Sequence, residues 1–497
     1  MQKEIDAMEQ NKTWELTELP PNKTLVECKW VYKIKLKSDG TIERCKARLV
    51  AKGFTQVEGL DYHETFAPVA KMTTIRCILA LAAVKHWPLF QLDVDNAFLH
   101  GKLDEEVYMK LPPGFYTTEK RHGKVFKLLK SIYELKQSSR QWYARFSDAL
   151  LHFGFLSSMH DSSMFFLRRG KDLLLLLVYV DNVLITGTSV DLISEVKAFI
   201  HDHFRIKDLG HFKFFLGLEI ARSTEGIFLH RRKYALDILA DTGFTECKPC
   251  STPMETKHKL SLSTAAPLDD PVHYRRLVGR LLYLAVTRPD LAHPVHILSQ
   301  FMQHPTIDHL QAAHRVLRYI KAAPTQGIFY SAQSQLTLTA YCDADWGACP
   351  LTQKSLSGYC VLLGSSLVSW KTKKQTRVAR STTESEYRSM TDACSELLWL
   401  TGLLSDMGVL IPRPISLYCD NMSALHMDQN PVYHERSKHI EIDCHFIRHH
   451  VAAKLIAPGY IASSEQPADF LTKPLPADLL HHLLSKLGVS NFLHAPA

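Results

Sequence analysis

The stretch LLVYVDNVLITG, residues 176–187, runs apolar into one aspartate, sets an asparagine beside it, and resumes apolar. Continuous apolar runs of this length mark strands covered on both faces, and the polar pair between them marks a tight turn. Asp181 is therefore either the end of a strand or a metal ligand. Asp93 poses the same choice within QLDVDNAFL, on another predicted strand. If the two strands are neighbours, two carboxylates meet at one end of a sheet. Bare like charges are costly to bury, so they need a cation between them. Hard oxygen ligands with open positions favour Mg²⁺, held jointly with a phosphate-bearing substrate. Either aspartate also reads as a turn residue.

A chain of 497 residues is long enough for two to four domains. Hydrophobic residues at 46% and charged residues at 22% match a folded globular composition, which excludes an overall disordered chain. The net charge of +8 is unevenly spread: residues 28–60 carry eight Lys/Arg against Asp39, Glu43 and Glu58. Such a lobe suits a polyanion, and equally a solvated face. Eleven scattered cysteines and a polar, acidic start (MQKEIDAMEQ) fit a reduced intracellular protein, cytoplasmic or nuclear and not secreted. Cys247 and Cys250 form a lone CxxC without a second ligand pair, a weak zinc signal. The apolar run 173–180 is too short to span a bilayer, so no membrane partner is expected.

Period-two alternation over residues 30–51 predicts a basic hairpin around Ser38, Asp39 and Gly40. Residues 73–86 have helical spacing and lead through Pro88 into the Asp93 strand. From 272 to 323 three helical stretches are separated by Pro289 and Pro305. Strands return from Gln335, interleaved with helices, which indicates an α/β domain.

That last region holds a second acid set: Asp343 in LTLTAYCDADW, a glutamate in STTESEY, Asp420 ending ISLYCDN, and Asp469 in SSEQPADF. Helical spacing selects the glutamate. Glu384 completes a capping box with Ser381 and continues through Arg388, Thr391 and Ser395. Glu386 continues through Met390, Ala393 and Leu397, the stripe that packs on a sheet. An inward carboxylate among apolar residues needs a reason, and a shared metal supplies one.

The strings WVYKIKLKSDGTIERCKARLVAKGF, FQLDVDNAFLHGKLDEEVYMKLPPGF, SIYELKQSSRQWY, VYVDNVLITG, KDLGHFKFFLGLEI and YRRLVGRLLYLAVTRPDLAHPV resemble, in order and spacing, the reverse transcriptase of copia-type LTR retrotransposons. DADW, STTESEYRSM, CDNMSAL, HERSKHIEIDCHFIR and ADFLTKPL resemble the ribonuclease H domain of the same elements. The resemblance implies an α+β right-hand polymerase (fingers, palm and thumb) followed by an α/β ribonuclease H-like domain. It divides the chain into a lead-in over 1–27, fingers and palm over 28–225, a mostly helical thumb or connection over 226–334, the ribonuclease H-like domain over 335–476 and a tail over 477–497. The implied activity is RNA-directed DNA synthesis with hybrid cleavage, each site using two Mg²⁺, with Mn²⁺ as substitute. The implied partners are an RNA template, a DNA primer, the RNA–DNA hybrid and deoxynucleoside triphosphates.

Carried over residue by residue, Asp93 and Asp181 are the palm ligands, with Asn182 beside them and Val94 lending its backbone carbonyl. Phe98 matches the aromatic gate against a ribose 2′-OH; Lys46, Arg48 and Lys136 match the triphosphate grip; Phe215, Leu216 and Gly217 match the hairpin that holds the primer end. Asp343, Glu386, Asp420 and Asp469 match the hybrid-cleaving centre. Lys371, Lys373 and Lys374, with Arg377 and Arg380, suit hybrid phosphates or a solvated loop, and His439 and His445 are expected to be structural rather than proton carriers. Asp95 shares the strand face of Asp93 but falls where the family motif varies, so it is left out of the site.

Two positions depart from the family pattern. Asn182 stands where YVDD has its second aspartate, which removes a negative charge beside divalent cations. Glu134 replaces the glycine of SLYGLKQ, with Ser139 in place of a proline, adding a carboxylate beside a triphosphate. The expectation is an impaired polymerase and an intact nuclease acid set, in a segment that begins inside the element with no visible protease, integrase or zinc knuckle. The rival expectation is a decayed or host-retained copy that only binds nucleic acid or keeps hybrid cleavage.

Overall fold

The computed structural model describes residues 1–36, 41–114, 123–429 and 441–491. The turn at Ser38, Asp39 and Gly40 and the side chain of His439 lie outside the described residues. The chain forms two compact units, one of residues 1–71 and 88–211, the other of residues 72–87 and 212–497.

The first unit is built on a six-stranded antiparallel sheet. Its strand order is Ile206–His211, Leu89–Val94, Asn182–Gly187, Asp172–Tyr179, Met164–Arg169, Leu156–Ser157. Leu174 to Val178 are all buried, which explains an unbroken apolar run where a half-exposed strand would alternate. Helices Ser138–Phe153 and Val190–Phe204 bring Trp142, Phe146, Leu150, Ile193, Val196 and Phe204 into one cluster with this sheet. The predicted basic hairpin is present as Cys28–Leu36 paired antiparallel with Ile42–Ala51.

The second unit holds two five-stranded sheets. One has the order Phe214–Phe215, Leu218–Arg222, Gly226–His230, Gln326–Ser331, Val489–Asn491. The other runs Ser366–Lys374, Leu356–Leu363, Leu338–Asp345, Ile415–Cys419, Ile456–Tyr460, with its last three strands mutually parallel. Helix Thr382–Asp406 covers this sheet with buried Met390, Ala393, Leu397 and Leu400.

Three boundaries differ from those expected. Helix Met72–Val84 belongs to the second unit, not to a continuous 28–225 segment. It is buried from Thr74 to Ala83 and, apart from two threonines and Arg76, built of apolar residues, the mark of a core helix. Its Arg76 stacks 3.6 Å over the Trp370 ring and donates to the Val286 carbonyl at 2.6 Å. Residues 477–491 are not a tail: helix Ala477–Lys486 buries Leu480, Leu483 and Leu484, and strand Val489–Asn491 pairs with Gln326–Ser331. Because strand Gln326–Ser331 also pairs with Gly226–His230, no compact-unit boundary falls at 334/335.

Candidate functional site

In the first unit the Asp181 hairpin turns through Val180 and Asp181, with Tyr179 paired to Asn182. Val180 has φ +57°, a left-handed conformation that a β-branched residue adopts at a cost of about 1–3 kcal/mol. Two hydrogen bonds hold it there. Trp142 Nε1 donates to the Val180 carbonyl at 2.7 Å, and the Val94 N–H donates to the Asp181 carbonyl at 2.8 Å. The second bond ties the hairpin tip to the Asp93 strand, where Asn182 lies directly opposite Asp93.

Burial pushes the Asp93 carboxyl above the usual range, and the charges of Asp181 and Asp95 push the same way, against Lys46 and Lys207. The Asn182 amide donates to Asp181 Oδ1 at 2.8 Å, and Gln91 donates to Asn182 Oδ1 at 3.2 Å. Asn182 thus relieves a repulsion that a second aspartate would add. Asp95 is exposed, past the end of the Asp93 strand.

Tyr133, which the sequence did not single out, joins the predicted nucleotide residues. Arg48 lies 4.5 Å over its ring, and Phe98 meets it edge-on at 5.3 Å. Burial raises the Tyr133 hydroxyl to about 12, and that hydroxyl feels the charges of Arg48, Asp181 and Asp93. Lys46 is partly buried, and its ammonium is held down by burial and then by Arg48. Lys136 is exposed. Its backbone N–H is bound to Gln56 Oε1 at 2.9 Å.

Glu134 has φ +67°, and a Cβ on Gly53 would come within 2.0 Å of its carbonyl oxygen, so the backbone there is both left-handed and closely packed. The glycine of the family pattern has a conformational reason at this position. The Glu134 carboxylate points to Lys29 Nζ at 3.8 Å, both half exposed, a pair worth little. Glu134→Gly is expected to raise the unfolding free energy by about 1 kcal/mol through relief of the left-handed backbone. A urea titration giving no gain would show that this backbone is unstrained.

In the second unit, of the predicted primer residues, Phe215 ends strand Phe214–Phe215 and Leu216 and Gly217 form the turn into strand Leu218–Arg222. Leu216 has φ +53° and Gly217 φ +72°; the Leu216 carbonyl accepts from the Tyr283 hydroxyl at 2.7 Å. Phe215 is 1% exposed and packs on Phe212, so its ring cannot meet a primer; Phe214, at 64%, is the exposed ring. The alternation of the strand carries that signal.

The second acid set lies in the same unit. Asp343 and Asp420 each stand two residues beyond the paired Tyr341 and Tyr418 of neighbouring parallel strands, which brings them to one sheet end. The short turn of helix Pro467–Leu471 adds Asp469, and the first turns of helix Thr382–Asp406 add Glu386. Gly358 permits the approach, because a Cβ there would come within 2.7 Å of Leu471 and Thr472 side chains. Carboxylate oxygens of Asp343, Asp420 and Asp469 lie within 4.8 Å of one another, as do ligand atoms of Glu386, Cys419 and Asp420. All four predicted acids are therefore linked through Asp420. Cys419, missed in the sequence, places its thiol 3.7 Å from Glu386 Oε2.

Burial is the main cause of raised carboxyls here. It lifts Glu386 well above the carboxylate range and, with the charge of Asp343, lifts Asp469 to about 7. Lys473 opposes it, with Nζ 3.5 Å from Asp343 Oδ1 and 3.1 Å from Asp469 Oδ1. The Thr472 hydroxyl donates to Asp343, and Ser463 donates to Asp420 Oδ2 at 2.7 Å. Folded Asp469 keeps its proton to about 7, whereas an unfolded aspartic acid loses it near 4. Between those values the folded chain binds more protons, so rising pH favours unfolding. With metals chelated, the thermal midpoint is expected to drop across this window, and Asp469→Asn should flatten the drop; an unchanged slope in the variant would place the titration elsewhere.

Glu384 is also buried, contrary to a polar face; the Arg380 N–H at 2.7 Å and Arg388 at 2.6 Å satisfy its carboxylate. Lys371 and Lys373 are exposed on one strand face, whereas Lys374 turns its ammonium to Cys349 Sγ at 3.1 Å. His445 is exposed and 3.9 Å from Glu441. No described helix is long and apolar enough to cross a membrane.

Comparison with known proteins places residues 11–256 in the family described as reverse transcriptase (RNA-dependent DNA polymerase). The chain is 46% identical over 491 residues to the retrovirus-related Pol polyprotein from transposon RE1 of Arabidopsis thaliana, covering 99% of this chain and 33% of that protein. It is 38% identical to the Pol polyprotein from transposon TNT 1-94 of Nicotiana tabacum, over 96% of this chain and 36% of that one. A transposon Ty5-1 protein of Saccharomyces cerevisiae is matched over its full length at 34% identity, which takes in 62% of this chain. The chain spans about a third of the length of the plant Pol polyproteins it matches. Among solved structures, the foamy viral protease-reverse transcriptase in complex with RNA/DNA hybrid has 13% identity and a TM-score of 0.48, over 93% of this chain and 53% of that one.

Proposed function

The chain belongs to the copia-type retrotransposon Pol polyproteins and carries their reverse transcriptase region, and from that premise we propose that it couples a weakened RNA-directed DNA polymerase to an intact ribonuclease H. The polymerase has the right-hand arrangement of fingers, palm and thumb, and the C-terminal α/β region is ribonuclease H-like. Its partners are an RNA template, a DNA primer, deoxynucleoside triphosphates and the RNA–DNA hybrid.

The observation that carries the reading is the gathering of Asp343, Glu386, Asp420 and Asp469, from separate elements, in two overlapping groups that share the half-buried Asp420. Four hard oxygen donors fit Mg²⁺ or Mn²⁺. A pair of such ions supplies an activated water and neutralises the leaving oxygen. The chain's part is to hold the donors rigid: Thr472 and Ser463 orient Asp343 and Asp420, and the sheet and helix Thr382–Asp406 exclude water behind them. Exposed Lys371 and Lys373 suit the hybrid's phosphates.

The polymerase centre is the poorer one. Asp93 and Asp181 supply two charges where the family pattern has three, and Asn182 contributes an amide already spent on Asp181. Lys46 and Tyr133 feel the Asp93 charge, and Arg48 lies over the Tyr133 ring, an arrangement that suits a triphosphate. The test is one preparation assayed for both activities with Mg²⁺ and with Mn²⁺: cleavage of the RNA strand of a hybrid, and primer extension on a homopolymer template. Efficient cleavage with feeble extension is expected; extension at a rate typical of the family with no cleavage would reverse the assignment.

A further inference from the structure

We propose that Lys473 is the resident cation of the carboxylate cluster, its ammonium standing between Asp343 and Asp469 where a divalent ion would sit, so that loading the cluster requires this side chain to leave. The inference rests on the metal reading of that cluster and adds a competitor built into the chain itself.

Three observations carry it. Nζ lies 3.5 Å from Asp343 Oδ1 and 3.1 Å from Asp469 Oδ1, whereas the side chains of those two aspartates are 2% and 7% exposed. Among the described residues, Asp469 Oδ1 has no polar partner other than the Lys473 ammonium, which is therefore the group that answers its charge. Lys473 is itself 35% exposed, four residues after Asp469, on a flexible stem that opens to solvent. Buried carboxylates this close are not sustained without a counter-charge, which makes the lysine necessary to the metal-free fold. A compact monovalent charge at that point must also repel an arriving dication. One residue therefore stabilises the empty centre and opposes its filling.

A merely structural anchor and a resident cation respond differently to the same change. Mn²⁺ titration of the full chain, followed by the electron paramagnetic resonance of free Mn²⁺, reads the difference in an Asp93→Asn, Asp181→Asn background that confines binding to this cluster. Lys473→Met is expected to bind Mn²⁺ about tenfold more tightly, with a lower thermal midpoint when metal is chelated and a larger rise when it is added. Equal or weaker binding would overturn the inference. Should that variant not fold, the unaltered chain still decides: acetylation of Lys473 by an N-hydroxysuccinimide ester, read by mass spectrometry, is expected to speed up several-fold with Mn²⁺, and an unchanged rate overturns the proposal. Asp343→Asn separates this from the underlying reading. Undiminished Mn²⁺ binding there defeats the metal centre itself, whereas loss of binding there with no gain in Lys473→Met defeats only the role of the lysine.

Discussion

Asp343→Asn is expected to cut hybrid cleavage by at least about a thousandfold, roughly 4 kcal/mol in the barrier, while leaving the chain folded. The side chain is 2% exposed and central to the cluster, touching Thr472 and Lys473 and lying within 4.8 Å of the Asp420 and Asp469 oxygens. Asparagine keeps the shape and one oxygen, so packing survives. What disappears is one negative charge in a site of low dielectric, where it would be felt by both ions at once. Removing the charge also eases the repulsion with Asp469, so the metal-free variant should melt no lower than the parent. The two readouts together exclude simple unfolding. Cleavage that survives Asp343→Asn, or the parallel Asp420→Asn, would mean that the nuclease centre lies elsewhere.

Asn182→Asp is expected to raise the rate of nucleotide addition by about a hundredfold. A unit charge pair at 4 Å is worth about 4 kcal/mol at an effective dielectric of about 20, and a dication couples roughly twice as strongly, before desolvation is subtracted. Even a modest fraction of that attraction exceeds two decades in rate. The substitution has an opposite effect on the empty centre. It exchanges the Asn182 to Asp181 hydrogen bond at 2.8 Å for a carboxylate pair, directly across from the already burdened Asp93. The variant should therefore melt below the parent in chelator and recover with Mg²⁺. Single-nucleotide incorporation on a primed homopolymer gives the rate, and a gain under about threefold would show that missing charge is not the defect. Combining the change with Glu134→Gly tests whether the left-handed residue at 134 adds a separate burden.

Much of this was legible one element at a time. The apolar run ending at Asp181, the alternation of the basic hairpin and the helical stripe of Glu386, Met390, Ala393 and Leu397 each follow from a local period, and each element formed where its period placed it. The helix at Ala477–Lys486 is equally readable, since Leu480, Leu483, Leu484 and Leu487 keep helical spacing, a signal that outweighs the expectation of a tail. Glu384 takes the capping position expected of it, its N–H donating to Ser381 Oγ at 3.2 Å, but it is buried. Its spacing is polar, but a buried carboxylate is tolerated where Arg388 and a backbone N–H supply partners. Tyr133 and Cys419 carry no local signal, because their importance comes from what the fold sets beside them.

The order of residues by itself determined the strands and helices, the inventory of acids and the missing charge at position 182, because these depend on neighbours a few positions away. Which acids meet was decided by sheet order and register. Lys473 and Asp343 are 130 residues apart and touch because the Asp343 strand runs parallel to Ile415–Cys419 and packs against Pro467–Leu471. The same holds for helix Met72–Val84, whose apolar surface could be read as core but not assigned to a particular core. Burial and charge pairing at such points are properties of three-dimensional proximity, and a one-dimensional pattern records which groups are available without recording which of them will share a dielectric.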